Sequence, residues 1–258
     1  MRRLLRPLDP LLRSGPVDAL LRTLFRLWVS AATRDEPRAA MLRLYRLDDL
    51  LQGRIDLLAI ELDGGVHAKH RLMRYHDFFV ERVRPGERVL DVGCGKGELA
   101  HDLVVRGRAQ VTGLDVNPEA LAFARARFGT DGLELVEGDA LAWMPPEPFD
   151  VVVLSNVLEH VEDRVVLLRR LRELARPARV LIRVPVLERD WQVLLRRELG
   201  LPYFSDPTHR TEYSEEQLAD EARAAGLRLT QVENRFGELW AVAEPEDEPQ
   251  GALRPPAA

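Results

Sequence analysis

The sequence has very little cysteine and lysine. Cys94 is the single cysteine, so no disulfide can form within the chain, and stability does not require an oxidising compartment. Lys69 and Lys96 are the only lysines among the 37 basic residues, and the others are arginine. This bias is typical of a GC-rich genome and carries little chemical information.

Long apolar runs are also missing. No stretch reaches the about 18 uninterrupted apolar residues that a membrane-spanning helix requires. Near the N-terminus, Asp9, Arg13 and Asp18 interrupt the apolar segment that a signal peptide would need. We therefore expect a cytoplasmic protein.

A large excess of charge of one sign is missing as well. The net charge is −5 at pH 7, which argues against a general nucleic-acid binder, so we expect no nucleic-acid partner. The charge is uneven, because residues 1–50 carry ten arginines against six acidic residues.

Helical patterns fill the first part of the chain. Residues 17–32 and 39–62 have apolar positions at helical spacing, and a third predicted helix spans 68–83. From residue 88 onward, short β-branched runs alternate with helical patterns, which predicts an α/β fold with a parallel sheet. The run VVVL at 151–154 is typical of a central strand that is covered on both faces.

These changes of pattern predict the domain organisation. Residues 1–66 form a helical N-terminal extension and 67–244 the main domain, with an insertion or lid at about 185–213. The Pro-rich acidic tail, 245–258, is expected to be disordered.

Short signals mark the ends of elements within the main domain. Asn117 before Pro118 predicts a helix N-cap, and Ser214 with Gln217 predicts a capping box. The last two apolar runs are separated only by Phe236-Gly237, so we expect an antiparallel hairpin.

A glycine-rich segment, VLDVGCGKGEL, follows the first predicted strand at residues 89–99. Its glycines, at 93, 95 and 97, do not fit the G-x-G-x-x-G pattern of dinucleotide sites. The triphosphate-binding loop is also absent, because Lys96 is followed by glycine and glutamate rather than by a hydroxyl residue.

Polar residues follow the next three strands. Asp115 ends the second strand, where a carboxylate can accept hydrogen bonds from ribose hydroxyls, and Asp139 ends the third. The stretch SNVLEH, 155–160, follows the fourth strand, at the point where open α/β sheets bind ligands.

Four motifs, VLDVGCGKG, GLDVNPEAL, VEGDA and FDVVVLSNVLEHVED, thus occur at successive strand ends. In order and spacing they resemble the motifs of class I S-adenosylmethionine-dependent methyltransferases, over about residues 68–243. The resemblance implies a Rossmann-like seven-stranded sheet of order 3-2-1-4-5-7-6, with the last strand antiparallel. It also implies S-adenosyl-L-methionine as the cofactor.

The resemblance assigns cofactor contacts by position. Asp91 would orient the glycine loop, Asp115 would hold the ribose, and Asp139 would contact the adenine edge. Groups beside them would contact the methionine, adenine or sulfonium; these are Gly93, Gly95, Gly97, Val116, Ala140, Ser155 and Asn156. Cys94 lies within the loop, where we expect a small filler rather than a nucleophile.

Methyl transfer to a neutral hydroxyl or amine requires loss of a proton, so a general base is useful. His160 is the first candidate, with a histidine hydrogen-bonded within the fold as the alternative. His209, in the stretch 202–214, is the second. In the family this region commonly forms the acceptor side of the pocket, which adds Asp206 and Tyr213 as substrate candidates. A turn at Asp206 and a solvated loop histidine are the alternative there.

A third group of candidates lies in HAKHRLMRYH, at 67–76, just before the first strand. Lys69–Arg71 would meet the cofactor carboxylate or an anionic acceptor, and Tyr75 or His76 would line the entrance. A solvated basic face is the alternative reading of this stretch.

Further absences narrow the acceptor. No Asn/Asp-Pro-Pro-Tyr/Phe motif follows the fourth strand, and no second cysteine exists for methylation at cytosine C5. No cluster of histidines and acids has the metal-ligand spacing of a catechol-type site, and we expect no metal. What remains is transfer to an O, N or C atom of a small-molecule or a lipid- or sugar-linked acceptor.

Two other functions stay open. One is a non-catalytic module that binds S-adenosylmethionine or S-adenosylhomocysteine, and the other, disfavoured by the glycine spacing, is a dinucleotide oxidoreductase. The Leu/Arg-rich helical extension, with Trp28, would cap the active site, form a homodimer contact or lie on a membrane surface. Capping combined with an oligomer contact is the favoured interpretation.

Overall fold

The described residues of the computed structural model form four stretches: 15–34, 36–65, 67–129 and 131–246. The predicted disorder of the tail concerns residues that, from 247 onward, lie outside the described stretches. The chain divides into two compact units. One contains the described residues up to Ala68 together with Leu199–Leu201, and the other contains the remainder.

The first unit is helical. Helix α1 spans Gly15–Ala32 and α2 spans Pro37–Leu62. The Glu36 carboxylate accepts hydrogen bonds from two backbone N–H groups of the first turn of α2, and Pro37 lies where a missing N–H does no harm. None of the described helices is both long and apolar enough to cross a bilayer.

The second unit contains a seven-stranded sheet of order β3-β2-β1-β4-β5-β7-β6. Strand β7 pairs antiparallel with β5 and β6, and the other neighbouring strands pair in parallel. This confirms the fold class, the strand order and the closing hairpin expected from the sequence. The strands are β1 (Arg88–Val92), β2 (Gln110–Asp115), β3 (Leu133–Glu137), β4 (Val151–Ser155), β5 (Arg179–Pro185), β6 (Leu227–Arg235) and β7 (Glu238–Pro245).

Helices connect these strands. They are α5 (Glu98–Val105), α6 (Pro118–Phe128), a 3-10 helix (Leu158–His160), α7 (Arg164–Ala175), α8 (Trp191–Glu198) and α9 (Glu215–Ala224). Before β1, the single helix predicted over 68–83 is wrong. The chain forms two short helices instead, α3 (Lys69–Met73) and α4 (Tyr75–Val80), because Arg74 between them has a left-handed backbone, φ +52°.

Two predicted helix caps can be compared with the structure. The Asn117 side chain accepts hydrogen bonds from two N–H groups of α6, as predicted. The Ser214 hydroxyl accepts from the Gln217 N–H at 3.1 Å, but the Gln217 amide donates to Thr211 and Glu221 rather than to Ser214. The capping box is therefore only half formed, because these side-chain acceptors take the Gln217 amide.

Both faces of the sheet are buried. Leu90 packs with Leu167 of α7 on one face, and Val89 packs with Leu103 of α5 on the other. Neighbouring residues of a strand point to opposite faces, so a strand covered on both sides must be apolar throughout. Residues Val151–Leu154 of β4 are 0% exposed, which confirms the predicted central strand.

Gly113 in β2 gives a test of this packing. A Cβ atom there would lie 2.9 Å from both Cys94 Sγ and a Leu135 methyl group. We expect Gly113→Ala to lower the free energy of unfolding by about 1–3 kcal/mol, as overpacking does, in urea titrations. Gly53→Ala in α2 is the control, because that position has open space. An unchanged stability of Gly113→Ala would contradict this prediction and show that Cys94 and Leu135 can shift away from the added methyl group at little cost.

Candidate cofactor and acceptor site

A cavity of about 310 Å³ opens at the carboxyl ends of the parallel strands. Pockets for small ligands begin at about this size. Seven of the residues predicted to form the site line it: Gly93, Asp115, Val116, Asp139, Ala140, Asn156 and His160. The other lining residues are mainly apolar: Val92, Leu114, Gly138, Leu141, Val157, Val161 and Leu167.

The loop after β1 depends on its three glycines. Gly93, Gly95 and Gly97 have φ values of +67°, +54° and +80°, which favour glycine. A Cβ at Gly93 would lie 2.8 Å from a Val157 methyl group, so this position is closed to a side chain. Around Gly95 no heavy atom lies within 4 Å of a Cβ position, so the backbone there is open to a ligand.

Asp115, the last residue of β2, fixes this loop. Its Oδ2 accepts a hydrogen bond from Gly95 N–H at 2.7 Å, and its Oδ1 accepts from Asn117 N–H at 2.8 Å. An ionised carboxylate has about four lone-pair positions, so acceptor capacity remains toward the cavity. The tie to Gly95 was not foreseen from the sequence, because it joins two separate loops.

Asp91 is buried beneath the same loop. Its carboxylate is 2% exposed, and Oδ2 has no hydrogen-bond partner. Burial and the nearby Asp115 charge raise the pKa of Asp91 to about 8. A buried acceptor of this kind is costly unless a donor completes it, as the ammonium group of a bound amino acid would.

Asn156 provides a second unpartnered acceptor at the cavity wall. Its backbone is left-handed, φ +57°, and its N–H donates to the Arg183 carbonyl at 2.9 Å. The Asn156 Oδ1 is buried without a partner. Ser155 does not line the cavity, and its hydroxyl accepts from the Arg183 guanidinium at 3.3 Å.

The residues expected to contact adenine lie along one wall. Asp139 does not end β3, because the strand stops at Glu137 and the chain then turns. The turn is held by Asp139 Oδ1, which accepts from Leu141 N–H at 2.9 Å. Ala140 lines the cavity, and Val116 is 66% exposed at its opening.

Cys94 faces the sheet rather than the cavity. It is buried, and its sulfur packs against Gly113. Burial raises the pKa of the Cys94 thiol, which keeps the thiolate nucleophile unavailable. This placement agrees with a packing role.

Two histidines meet where His160 lines the cavity; His209 contacts His160 but does not itself line the cavity. His160 ends the 3-10 helix after β4, and His209 reaches it from the connection between β5 and α9. Their ring centroids are 4.7 Å apart, with the planes inclined at 75°. The His160 Nδ1 lies 3.0 Å from Thr208 Oγ1, and burial lowers the pKa of His160.

Glu212 holds His209 in place. The Glu212 side chain is fully buried, and its Oε1 accepts from His209 Nδ1 at 3.1 Å and from the Ser205 hydroxyl at 2.7 Å. Arg189 forms an ion pair with the other oxygen. Sequence reasoning missed Glu212, although its spacing of three residues from His209 is compatible with a local pair.

Glu159 was also missed. It is 0% exposed, neither carboxylate oxygen has a hydrogen-bond partner, and burial raises its pKa to about 8. Glu159, His160 and His209 each place one ligand atom within 4.8 Å of the other two. Spacing along the sequence does not reveal this group, because His209 arrives from a distant connection, and the expectation of no metal stays a prediction.

Neither predicted substrate residue of this connection, Asp206 or Tyr213, lines the cavity. Asp206 lies beside the histidines, and its Oδ1 accepts from the Thr208 hydroxyl at 2.5 Å. Tyr213 is fully buried and donates to Glu221 at 2.9 Å, away from the cavity.

The stretch before β1 does not line the cavity. The Tyr75 hydroxyl is 2.9 Å from His70 Nδ1, its ring lies under the Arg183 guanidinium at 3.7 Å, and burial raises its pKa to about 12. His76 Nδ1 lies 2.9 Å from Asp102, and Arg71 is exposed on α3. Their proposed contacts with cofactor or acceptor stay predictions.

The strand order and the glycine loop joined to a strand-tip carboxylate define a class I methyltransferase architecture. The methyltransferase-domain family model matches residues 66–232, and the chain belongs to this family. This confirms the resemblance drawn from the motifs.

Several relatives and solved structures are similar to the chain. A ubiquinone biosynthesis O-methyltransferase of Stutzerimonas stutzeri is 40% identical over 96 residues, 36% of this chain and 41% of that protein. The corresponding protein of Azoarcus is 30% identical over 176 residues, 63% of this chain and 75% of that protein. The chain thus spans less than half of the first relative.

Among solved structures, magnesium protoporphyrin IX methyltransferase of Synechocystis has a TM-score of 0.56 at 18% identity. The match covers 67% of this chain and 83% of that one. At this identity the likeness shows the fold alone.

Asp115 can be tested by replacement. We expect Asp115→Ala to weaken S-adenosylhomocysteine binding by about tenfold to a hundredfold, because a charge-assisted acceptor and the tie to Gly95 are both lost. Isothermal titration calorimetry measures the affinity. Glu137→Ala, at the exposed end of β3, is the control and should bind normally. Unchanged binding by Asp115→Ala would remove this residue from the site.

Asp91 predicts opposite effects on stability and binding. A pKa raised from 3.8 to about 8 means that the ligand-free protein loses stability as pH rises through this range. The Asp91→Asn variant has no carboxyl group to ionise at this position. Its free energy of unfolding should therefore rise relative to that of the wild type as the pH increases from 3.8 to about 8. Affinity for S-adenosylhomocysteine should nevertheless fall. Urea titrations and calorimetry measure the two effects, and a destabilised variant with normal affinity would contradict the prediction.

Proposed function

We propose that this chain is an S-adenosylmethionine-dependent methyltransferase that methylates an oxygen atom of a small molecule. The observation that carries the proposal is the Asp115 carboxylate at the cavity wall, hydrogen-bonded to the open glycine loop at Gly95. That arrangement offers acceptors for ribose hydroxyls beside a backbone that a ligand can approach.

The residues of the cavity fit this cofactor. Asp91 Oδ2 and Asn156 Oδ1 are buried acceptors without partners, and both suit the cationic amino-acid end of the ligand. Apolar side chains such as Leu114 and Leu141 suit the adenine ring, with the Asp139 turn at its edge. S-adenosylmethionine, when bound, supplies a methyl group that is already activated on a positively charged sulfur.

The part of the cavity at His160, where His209 contacts this residue, favours an acceptor hydroxyl that gives up its proton during transfer. The Thr208 hydroxyl donates to Asp206, so its oxygen accepts from His160 and the proton lies on His160 Nδ1. The ionised Glu212 carboxylate can only accept, so His209 Nδ1 carries a proton as well. In a neutral imidazole whose proton lies on Nδ1, the Nε2 lone pair is the position that can accept a proton.

The relatives support oxygen as the acceptor atom, because two that align with the chain are named O-methyltransferases. S-adenosylmethionine held by Asp115 and the loop at Gly95 would supply its methyl group to the acceptor oxygen, and its sulfur would keep the electron pair of the broken S–CH₃ bond. The hydroxyl proton leaves through the histidine end of the cavity. A small-molecule hydroxyl is the acceptor, and lipid- or sugar-linked acceptors belong to the same proposal.

The N-terminal helices support surface contact. Leu20, Leu24, Phe25 and Trp28 of α1 are each 47–57% exposed. We infer peripheral contact with a membrane or a second copy through this face. The cytoplasmic location, the capping role and the absence of a nucleic-acid partner stay predictions.

Binding and transfer assays test the function. The purified chain should bind S-adenosylhomocysteine in calorimetry but not NADH, and should transfer labelled methyl from S-adenosylmethionine to members of a panel of ring hydroxyl compounds. His209→Gln should lower kcat/KM by about a hundredfold to ten thousandfold while leaving S-adenosylhomocysteine affinity unchanged. His101→Gln, in α5, is the matched control.

Failure of S-adenosylhomocysteine binding would overturn the proposal. Normal binding without transfer to any hydroxyl, amine or carbon acceptor would favour a non-catalytic binding module instead.

A further inference from the structure

Two helices that precede the family match expose a large amount of apolar surface. The family model begins at residue 66, after α1 and α2. Twelve of the 21 exposed large apolar side chains among the described residues lie on these two helices, so the apolar surface is concentrated there. Concentrations of this kind mark surfaces that bind a partner. On α2 the exposed apolar residues are Leu50, Leu51, Ile55, Leu57, Leu58 and Leu62.

Four of these α2 side chains follow the spacing of a coiled coil. Leu51, Ile55, Leu58 and Leu62, here named the α2 stripe, are separated by four, three and four residues. Leu51 and Leu58 therefore take heptad d positions, and Ile55 and Leu62 take a positions. Gly53 lies on the opposite side of the helix, where no heavy atom comes within 4 Å of a Cβ position. The α2 stripe is 52–81% exposed and suits a partner helix.

The α2 stripe is complementary to a second copy of itself. When two such helices run in opposite directions, Leu51 meets Leu62 of the second copy, and Ile55 meets Leu58 of the second copy. Each pair occurs twice, because a two-fold axis relates the copies. Between residues 51 and 62 the seam then contains apolar side chains throughout.

Charged residues beside the stripe select the antiparallel orientation. Arg54 and Glu61 both take g positions, and both are exposed. Charges at these positions set the orientation of helices in coiled coils. The antiparallel register places Arg54 opposite Glu61 of the second copy, on both sides of the two-fold axis. A parallel pair would instead place Arg54 opposite Ala59, so the ion pair favours the antiparallel arrangement.

Charge also argues against a membrane as the occupant of this face. Residues 48–63 contain five acidic residues and one arginine. Helices that lie on anionic lipids are rich in lysine and arginine on their polar face. A second copy of the chain is therefore the better match to the α2 stripe.

We propose that α2 is a dimerisation helix, which pairs antiparallel with α2 of a second copy through the α2 stripe. The Arg54 guanidinium of each copy pairs with the Glu61 carboxylate of the other. The contact is isologous, so association through this face stops at two copies. This interaction goes beyond the proposed methyl transfer and does not depend on it.

Sedimentation equilibrium of the full-length, untagged protein over a range of concentrations tests the dimer. The wild type should have twice the mass of one chain. Leu58→Glu should raise the dissociation constant by at least about a hundredfold, because each dimer would bury two carboxylates in apolar layers. Leu72→Glu in α3 is the matched control, because Leu72 is 65% exposed and lies outside α2. That variant should remain dimeric.

A charge exchange tests the orientation. Arg54→Glu and Glu61→Arg should each weaken the dimer by about tenfold, since each places like charges opposite one another. The double variant Arg54→Glu/Glu61→Arg should recover the wild-type dissociation constant, because opposite charges face each other again. Circular dichroism checks that every variant keeps its helix content.

Three results would overturn the proposal. One is a wild type that stays monomeric at every concentration, and another is normal dimerisation of Leu58→Glu. The third is a set of single charge variants without effect, or without recovery in the double variant. Vesicles of phosphatidylglycerol and phosphatidylcholine test the membrane alternative. A monomeric protein that sediments with them, and does so less after Leu58→Glu, would assign the face to a membrane instead.

Discussion

Two backbone N–H groups converge on the Asp115 carboxylate, and the cofactor end of the cavity depends on this convergence. One belongs to Gly95 in the loop after β1, and the other to Asn117 at the start of α6. Charge-assisted hydrogen bonds of this kind are strong and directional. The bare loop therefore stays rigid without side chains that would fill the space of a ligand.

The acceptor end is built around a different carboxylate. Glu212 is fully buried and gathers Arg189, Ser205 and His209 onto its two oxygens. Its interactions are complete within the chain. Asp91 and Glu159 are equally buried but each leaves oxygen unpartnered. Buried carboxylates without partners lower the stability of the ligand-free protein. Such groups are typical of functional sites, where a ligand can supply the missing partner.

Much of the fold could be read from local patterns. The apolar run of β4 and the glycine positions each express a constraint that lies within a few residues. The wrong predictions also rested on local patterns, which do not include the contacts that form on folding. The left-handed backbone of Arg74 interrupts a helix whose apolar pattern is continuous. The Gln217 amide donates to Thr211 and Glu221, which folding brings close, instead of completing the capping box. Asp139 was placed at a strand end, but β3 stops two residues earlier.

The sequence by itself determined the α/β sheet and the cofactor wall, because each wall residue follows its own strand and parallel strands end at one edge. Only the tertiary structure brought His209 to Glu159 and His160. The connection after β5 folds back, with Val186 bridging to Tyr213 and the Arg210 N–H donating to the Glu159 carbonyl at 2.7 Å. Such long-range contacts depend on how a loop packs, which no periodicity within one segment encodes.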